Sequence, residues 1–121
     1  MDLSNASQAH AEWKVKFRMA IQQKSKMDAS SIAMDNCCPL GQWLHGEAKG
    51  LYNRLPAYRE CLGKHAEFHR AAGQVAAAIN RGDYAGASAM LEAGTPYAGA
   101  SSAVGSAILG LKKAISAPAT V

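Results

Sequence analysis

Little in this chain points to an extracellular setting or a membrane. It has three cysteines, an odd number, and two of them are adjacent. That count excludes an ordinary disulfide framework. The N-terminal stretch lacks the pattern of a signal peptide. Together these predict a cytoplasmic setting in which thiols stay reduced and available to a metal. Bulky hydrophobic runs are missing as well. One stretch, Ala93–Leu111, carries no charge, but it is filled with Gly, Ala and Ser. Its sizeable aliphatics are Val104, Ile108, Leu109 and Leu111. That is too little apolar bulk for a spanning helix, and it predicts a helix lying close against another. Strong charge of one sign is also lacking. The net charge is +4, and the nearest thing to a cluster is Lys14, Lys16, Arg18, Lys24 and Lys26. Such scattered bases read as a solvated helix face, not as a nucleic-acid patch. No strand alternation and no internal repeat are visible.

What is present is a helical pattern in a chain long enough for one core. The 121 residues are 49% hydrophobic, which excludes a disordered tail. We read residues 1–121 as a single domain, with a core from about 7 to 115 and a frayed end at 117–121. Ala and Gly supply much of the apolar count, so the core should be thin and closely packed. Ser4 or Ser7 is suited to cap a first helix, in which Trp13, Phe17, Ala20, Ile21 and Met27 form one stripe. Residues 28–36 hold cap and turn formers and read as a loop with at most a short turn of helix. Pro39 suits the first position of a short helix through Trp43 that ends at Gly46. Residues 47–55 read as a connection. Pro56 then opens a long helix through Cys61, His65, Phe68, His69, Val75 and Ile79. Arg81-Gly82-Asp83 ends it. A last helical segment reaches about Ser116, kinked or divided at Gly94-Thr95-Pro96. The sum is an all-α chain of three long helices and one short one, packed as a small antiparallel four-helix bundle.

The chemistry lies in four residues. His65 and His69, four apart on one helix face, can grip a single metal ion. His10 falls on the apolar stripe one turn before Trp13. Cys38 stands at a helix N-terminus, where the backbone dipole favours the thiolate. Each has a plainer reading alone, as a core histidine or a small buried thiol. Together, three His and one Cys make a closed tetrahedral zinc set. Gly41 would let another backbone come close, and Trp43 would wall the site from water. Cys37 is an alternative thiol whose side chain should point elsewhere. Cys61 shares the inward face of the long helix, as a core residue or as a resolving thiol. His45 should be exposed and unliganded, while Glu12, Asp35 and Glu67 are the candidates to orient imidazoles.

The order His10-x-x-Trp13, Cys38-x-Leu40-Gly41-x-Trp43, His65-x-x-x-His69 closely resembles the bacterial chemoreceptor zinc-binding (CZB) family. The resemblance implies a four-helix bundle with zinc bound inside by three His and one Cys. It also implies a regulatory role attached to chemoreceptors or diguanylate cyclases, often as a homodimer. No signalling or cyclase segment is present here, which leaves a receptor fragment and a freestanding version both open. We therefore expect a cytoplasmic zinc sensor that is not an enzyme and contacts neither nucleic acid nor membrane. Its signalling domain lies in cis or in trans. Oxidation of Cys38 would weaken the site, so oxidants are a second possible input. A zinc-stabilised interaction module without sensing is the alternative. A zinc hydrolase is weaker, because four ligands leave no open position and no His-Glu-x-x-His motif occurs. A ferritin-like di-iron bundle fails for want of Glu-x-x-His pairs.

Overall fold

The computed structural model describes residues 1–116; the end expected to fray, 117–121, lies outside the described residues. Those residues form eight helices and no strand: α1 (Leu3–Ala11), α2 (Trp13–Gln23), α3 (Ala29–Ala33), α4 (Pro39–His45), α5 (Glu47–Tyr52), α6 (Pro56–Asn80), α7 (Tyr84–Met90) and α8 (Pro96–Ser116). Only α6 and α8 are long, whereas three long helices and one short one were expected. None of the helices is long and apolar enough to cross a membrane.

The differences have local causes. The first helix is capped by Asp2, whose carboxylate accepts from the Asn5 N–H at 3.0 Å; Ser4 and Ser7 sit inside α1. The expected long first helix is interrupted at Glu12. Backbone bonds from Glu12 to Gln8 and from Lys16 to Glu12 carry the chain through the join. Lys24, at φ 55°, closes α2 in the left-handed region. In the 28–36 segment, Asp28 caps α3 and also accepts from the hydroxyls of Ser30 and Ser31. Residues 47–52, read as connection, are helical. Ala48 is fully buried there and Tyr52 packs on Trp43 with ring centroids 6.0 Å apart. Burial outweighs the low propensity that Gly50 contributes.

The long helix was legible. Pro56 opens α6, and its buried stripe includes Tyr58, Cys61, His65, Phe68, His69 and Ile79. Two polar ties fix its ends. Tyr58 donates its hydroxyl to the Leu44 carbonyl at 2.7 Å. The Asn80 side chain accepts from the Met27 N–H and donates to its carbonyl, at 2.8 and 2.7 Å. Gly94, at φ +82°, divides the last segment, and the Thr95 hydroxyl accepts from the Ala98 N–H to start α8. The core lies where α6 packs against α8 and α3, while α1 closes over α8.

Candidate metal centre

Three parts of the fold bring their polar side chains to one buried point. His10 comes from the last turn of α1, Cys38 is the N-cap of α4, and His65 and His69 are successive turns of α6. One ligand atom from each lies within 4.8 Å of all the others. Cys38 Sγ is 3.2 Å from His65 Nε2, 3.6 Å from His69 Nε2 and 3.9 Å from His10 Nε2. The two α6 nitrogens are 3.0 Å apart. A tetrahedral zinc with ordinary bond lengths sets its nitrogens roughly 3.3 Å apart and nitrogen from sulfur roughly 3.5 Å apart. These four distances lie within a few tenths of an ångström of that frame, and no pair of ligand atoms is more than 4.8 Å apart.

The imidazoles are also in the form that metal needs. His10 Nδ1 lies 2.7 Å from the Ala6 carbonyl, and His69 Nδ1 lies 2.8 Å from the Ile32 carbonyl. A carbonyl only accepts, so both Nδ1 atoms carry the proton and both Nε2 lone pairs are bare. His65 differs. Its Nδ1 is buried and has no hydrogen-bond partner among the described residues. Burial lowers the pKa of all three, most for His65, which is pushed down to about 3 by burial and then by the neighbouring imidazoles. All three are thus neutral at pH 7.

The thiol corrects one expectation. The helix terminus does aid Cys38, since the Gly41 N–H points at its sulfur at 3.3 Å. Burial outweighs this and raises the thiol pKa above its ordinary value. A cation in the site, not the helix dipole, would supply the drive to thiolate. Gly41 does what was expected of it. The Asp35 carbonyl sits against its α-carbon where a side chain would have to go.

The surrounding shell departs further from expectation. Backbone carbonyls, not carboxylates, orient His10 and His69. Glu12 accepts from Gln8 at 3.3 Å, Glu67 pairs with Lys64 at 3.7 Å, and Asp35 pairs with His45 at 2.8 Å. The aromatic wall is Phe68, fully buried and edge-on to both His10 and His69, at 5.3 and 5.4 Å. Trp43 instead packs against Tyr52 with the rings tilted at 50° and lines a hollow with Leu3, Leu51 and Ile115. Of the other candidates, His45 is exposed and outside the cluster. Cys37 is exposed and turned to Asn36. Cys61 is buried, and its thiol is pushed up to about 12. The Ala6 carbonyl was open to inference, being four residues before His10 on the same helix. No sequence signal marks Ile32.

A family model described as the chemoreceptor zinc-binding domain matches residues 10–76. The chain belongs to the CZB family. The match opens on His10 and spans Cys38, His65 and His69, so the whole ligand cluster of this CZB chain falls inside it. It stops within α6, leaving the last turn of that helix, α7 and α8 outside. No curated protein and no solved structure matches the chain. The family is a zinc-binding one by description, and the His3Cys donor set here is of the kind that zinc takes.

Proposed function

We propose that this CZB chain is a zinc-responsive regulatory domain, with one Zn2+ held by His10, Cys38, His65 and His69. The observation that carries the reading is the convergence of three imidazole nitrogens and one sulfur on a single buried point. Four protein ligands complete a tetrahedral zinc and leave no position for a substrate water. That supports a role other than catalysis. Glu67, the base a hydrolase reading needs, is exposed and engaged with Lys64.

Zinc would tie α1 and the start of α4 to α6. Its loss would release that tie, and a change of helix packing is what a partner can read. The finer architecture that suits this is the antiparallel four-helix bundle, with α1 and α2 acting as one long element beside α6 and α8. The partner that fits the family's description is a chemoreceptor signalling domain. A diguanylate cyclase is the other output, and either lies in cis or in trans. We place the domain in the cytoplasm as a homodimer. Cys38 is half-buried and lines a hollow of about 390 Å3 with His10, Trp13 and Leu40. Oxidants reaching it would weaken the site. Cys61, with its raised pKa, makes a poor resolving thiol.

The test is metal content of protein purified without added metal, beside Cys38→Ala and His69→Ala. One zinc per chain, lost or loosened in both variants, is the expected result. Absence of metal, with variants matching the parent, sinks the reading. Chelator competition then separates a sensor, which exchanges its zinc, from a purely structural module, which resists.

A further inference from the structure

The three imidazoles are not equally supported. His10 and His69 each give Nδ1–H to a backbone carbonyl, whereas His65 Nδ1 is buried without a partner among the described residues. Metal binding through Nε2 forces the His65 proton onto Nδ1, where an acceptor becomes necessary. The turn that leads into Cys38 carries a carboxylate close to the site. Asp35 is fixed by its carbonyl against Gly41, and the Gly41 N–H in turn points at Cys38 Sγ, 3.2 Å from His65 Nε2. The Asp35 side chain is about three-quarters covered, and its Oδ2 is held from the solvent side by His45 Nε2 at 2.8 Å. Its charge is felt at His65, His69 and Cys38 alike. Zinc with three neutral imidazoles and one thiolate leaves a formal charge of about +1, which a single carboxylate cancels.

We propose that Asp35 is the outer carboxylate of the metal centre, a positioning residue that takes the Nδ1–H of zinc-bound His65 while His45 anchors it from outside. This rests on the zinc reading above. It adds a role for two residues outside the ligand set and joins an exposed histidine to the buried ion through one carboxylate. The expected consequence is selective. Loss of an outer-shell partner loosens metal by about 10- to 100-fold, whereas His10 and His69, with their own acceptors, keep their orientation.

The experiment measures zinc affinity by chelator competition for the parent, Asp35→Asn, Asp35→Glu and His45→Gln. It is paired with the imidazole nitrogen and N–H signals of zinc-loaded protein by NMR. We expect Asp35→Asn to bind zinc about 10- to 100-fold more weakly at unchanged metal-free helix content. Its His65 Nδ1–H signal should shift while those of His10 and His69 stay. Asp35→Glu should recover part of the affinity, and His45→Gln should show a smaller loss. Parent affinity in Asp35→Asn, or a loss with all three imidazole signals moved alike, overturns the assignment and leaves the zinc site standing. A parent that binds no zinc overturns both.

Discussion

The two long helices hold their places by different means. The first, α6, buries two histidines, a tyrosine whose hydroxyl is tied to Leu44, and a glycine pressed against α3. Its contacts are specific in direction and distance. The second, α8, presents Val104, Ile108 and Leu111 to the core, with Gly105 beside Ser7 of α1. Gly99 and Gly110 face open space. Apart from an exposed hydrogen bond from Lys112 to the Ser4 hydroxyl at 2.6 Å, its contacts depend on fit. The family match spans most of α6 and none of α8. The lesson is that the metal centre constrains its own helix closely, while α8 has only to cover the core.

Acid should break this contrast most strongly. In the metal-free protein the α6 histidines are neutral and buried, with His65 pushed down to about 3 from an ordinary 6.5. A histidine whose pKa is lower in the folded state binds its proton more readily when unfolded. Its contribution is therefore whole above about pH 6.5 and is lost progressively as pH falls toward 3. His65 alone should lose roughly 2 kcal/mol of stability by pH 5, and His10 and His69, shifted in the same direction, add to it. Denaturant melts of metal-free protein at pH 7 and pH 5 measure this. Amide exchange should accelerate first around α1, α3 and the His65–His69 turns, with α8 following. Equal stability at the two pH values would mean that the imidazoles are not buried in solution.

Glycine substitution tests the same contrast sterically. A β-carbon on Gly73 would lie 2.5 Å from Ala33 Cβ and 2.9 Å from its α-carbon. Backbone must move to make room, and the helix that moves, α3, carries the Ile32 carbonyl that orients His69. Gly73→Ala should cost about 1–3 kcal/mol and also loosen metal. Thermal melts and zinc titration of the one variant check both. A loss of stability with zinc affinity intact would separate α3 packing from the site.

The elements that sequence reveals are those whose cause is local. Pro56 begins α6, Pro39 follows a capping Cys38, and Gly41 accommodates a neighbouring backbone. The four candidate ligands stand out in the sequence because their types and spacing are chemically restrictive, and the fold brings them together. What escaped depends on distant partners. Nothing local reveals that Ala48 will be buried, so α5 reads as a connection with glycines at 46 and 50. The acceptor for His69 is a carbonyl thirty-seven positions away, and a carbonyl has no residue type to give it away. The Cys38 thiol misled for a related reason: the helix N-terminus is visible in sequence, but the burial that outweighs it is not.

The smallest effect belongs to α8. A methyl group on Gly110 meets nothing within 4 Å among the described residues, and the residue is exposed in mid-helix. Replacing helical glycine with alanine reduces the backbone entropy lost on folding, worth about 0.5–1 kcal/mol. Gly110→Ala should therefore raise the melting temperature by a few degrees, where Gly73→Ala lowers it. Opposite signs for one chemical change on two long helices would be the sharpest form of the contrast between them. The same variant reports on assembly, because a homodimer packed through the small residues of α8 would lose its close approach there. Melts over a dilution series decide this. A gain at every concentration leaves this face in water; a gain when dilute that becomes a loss when concentrated puts a second copy of the chain against it.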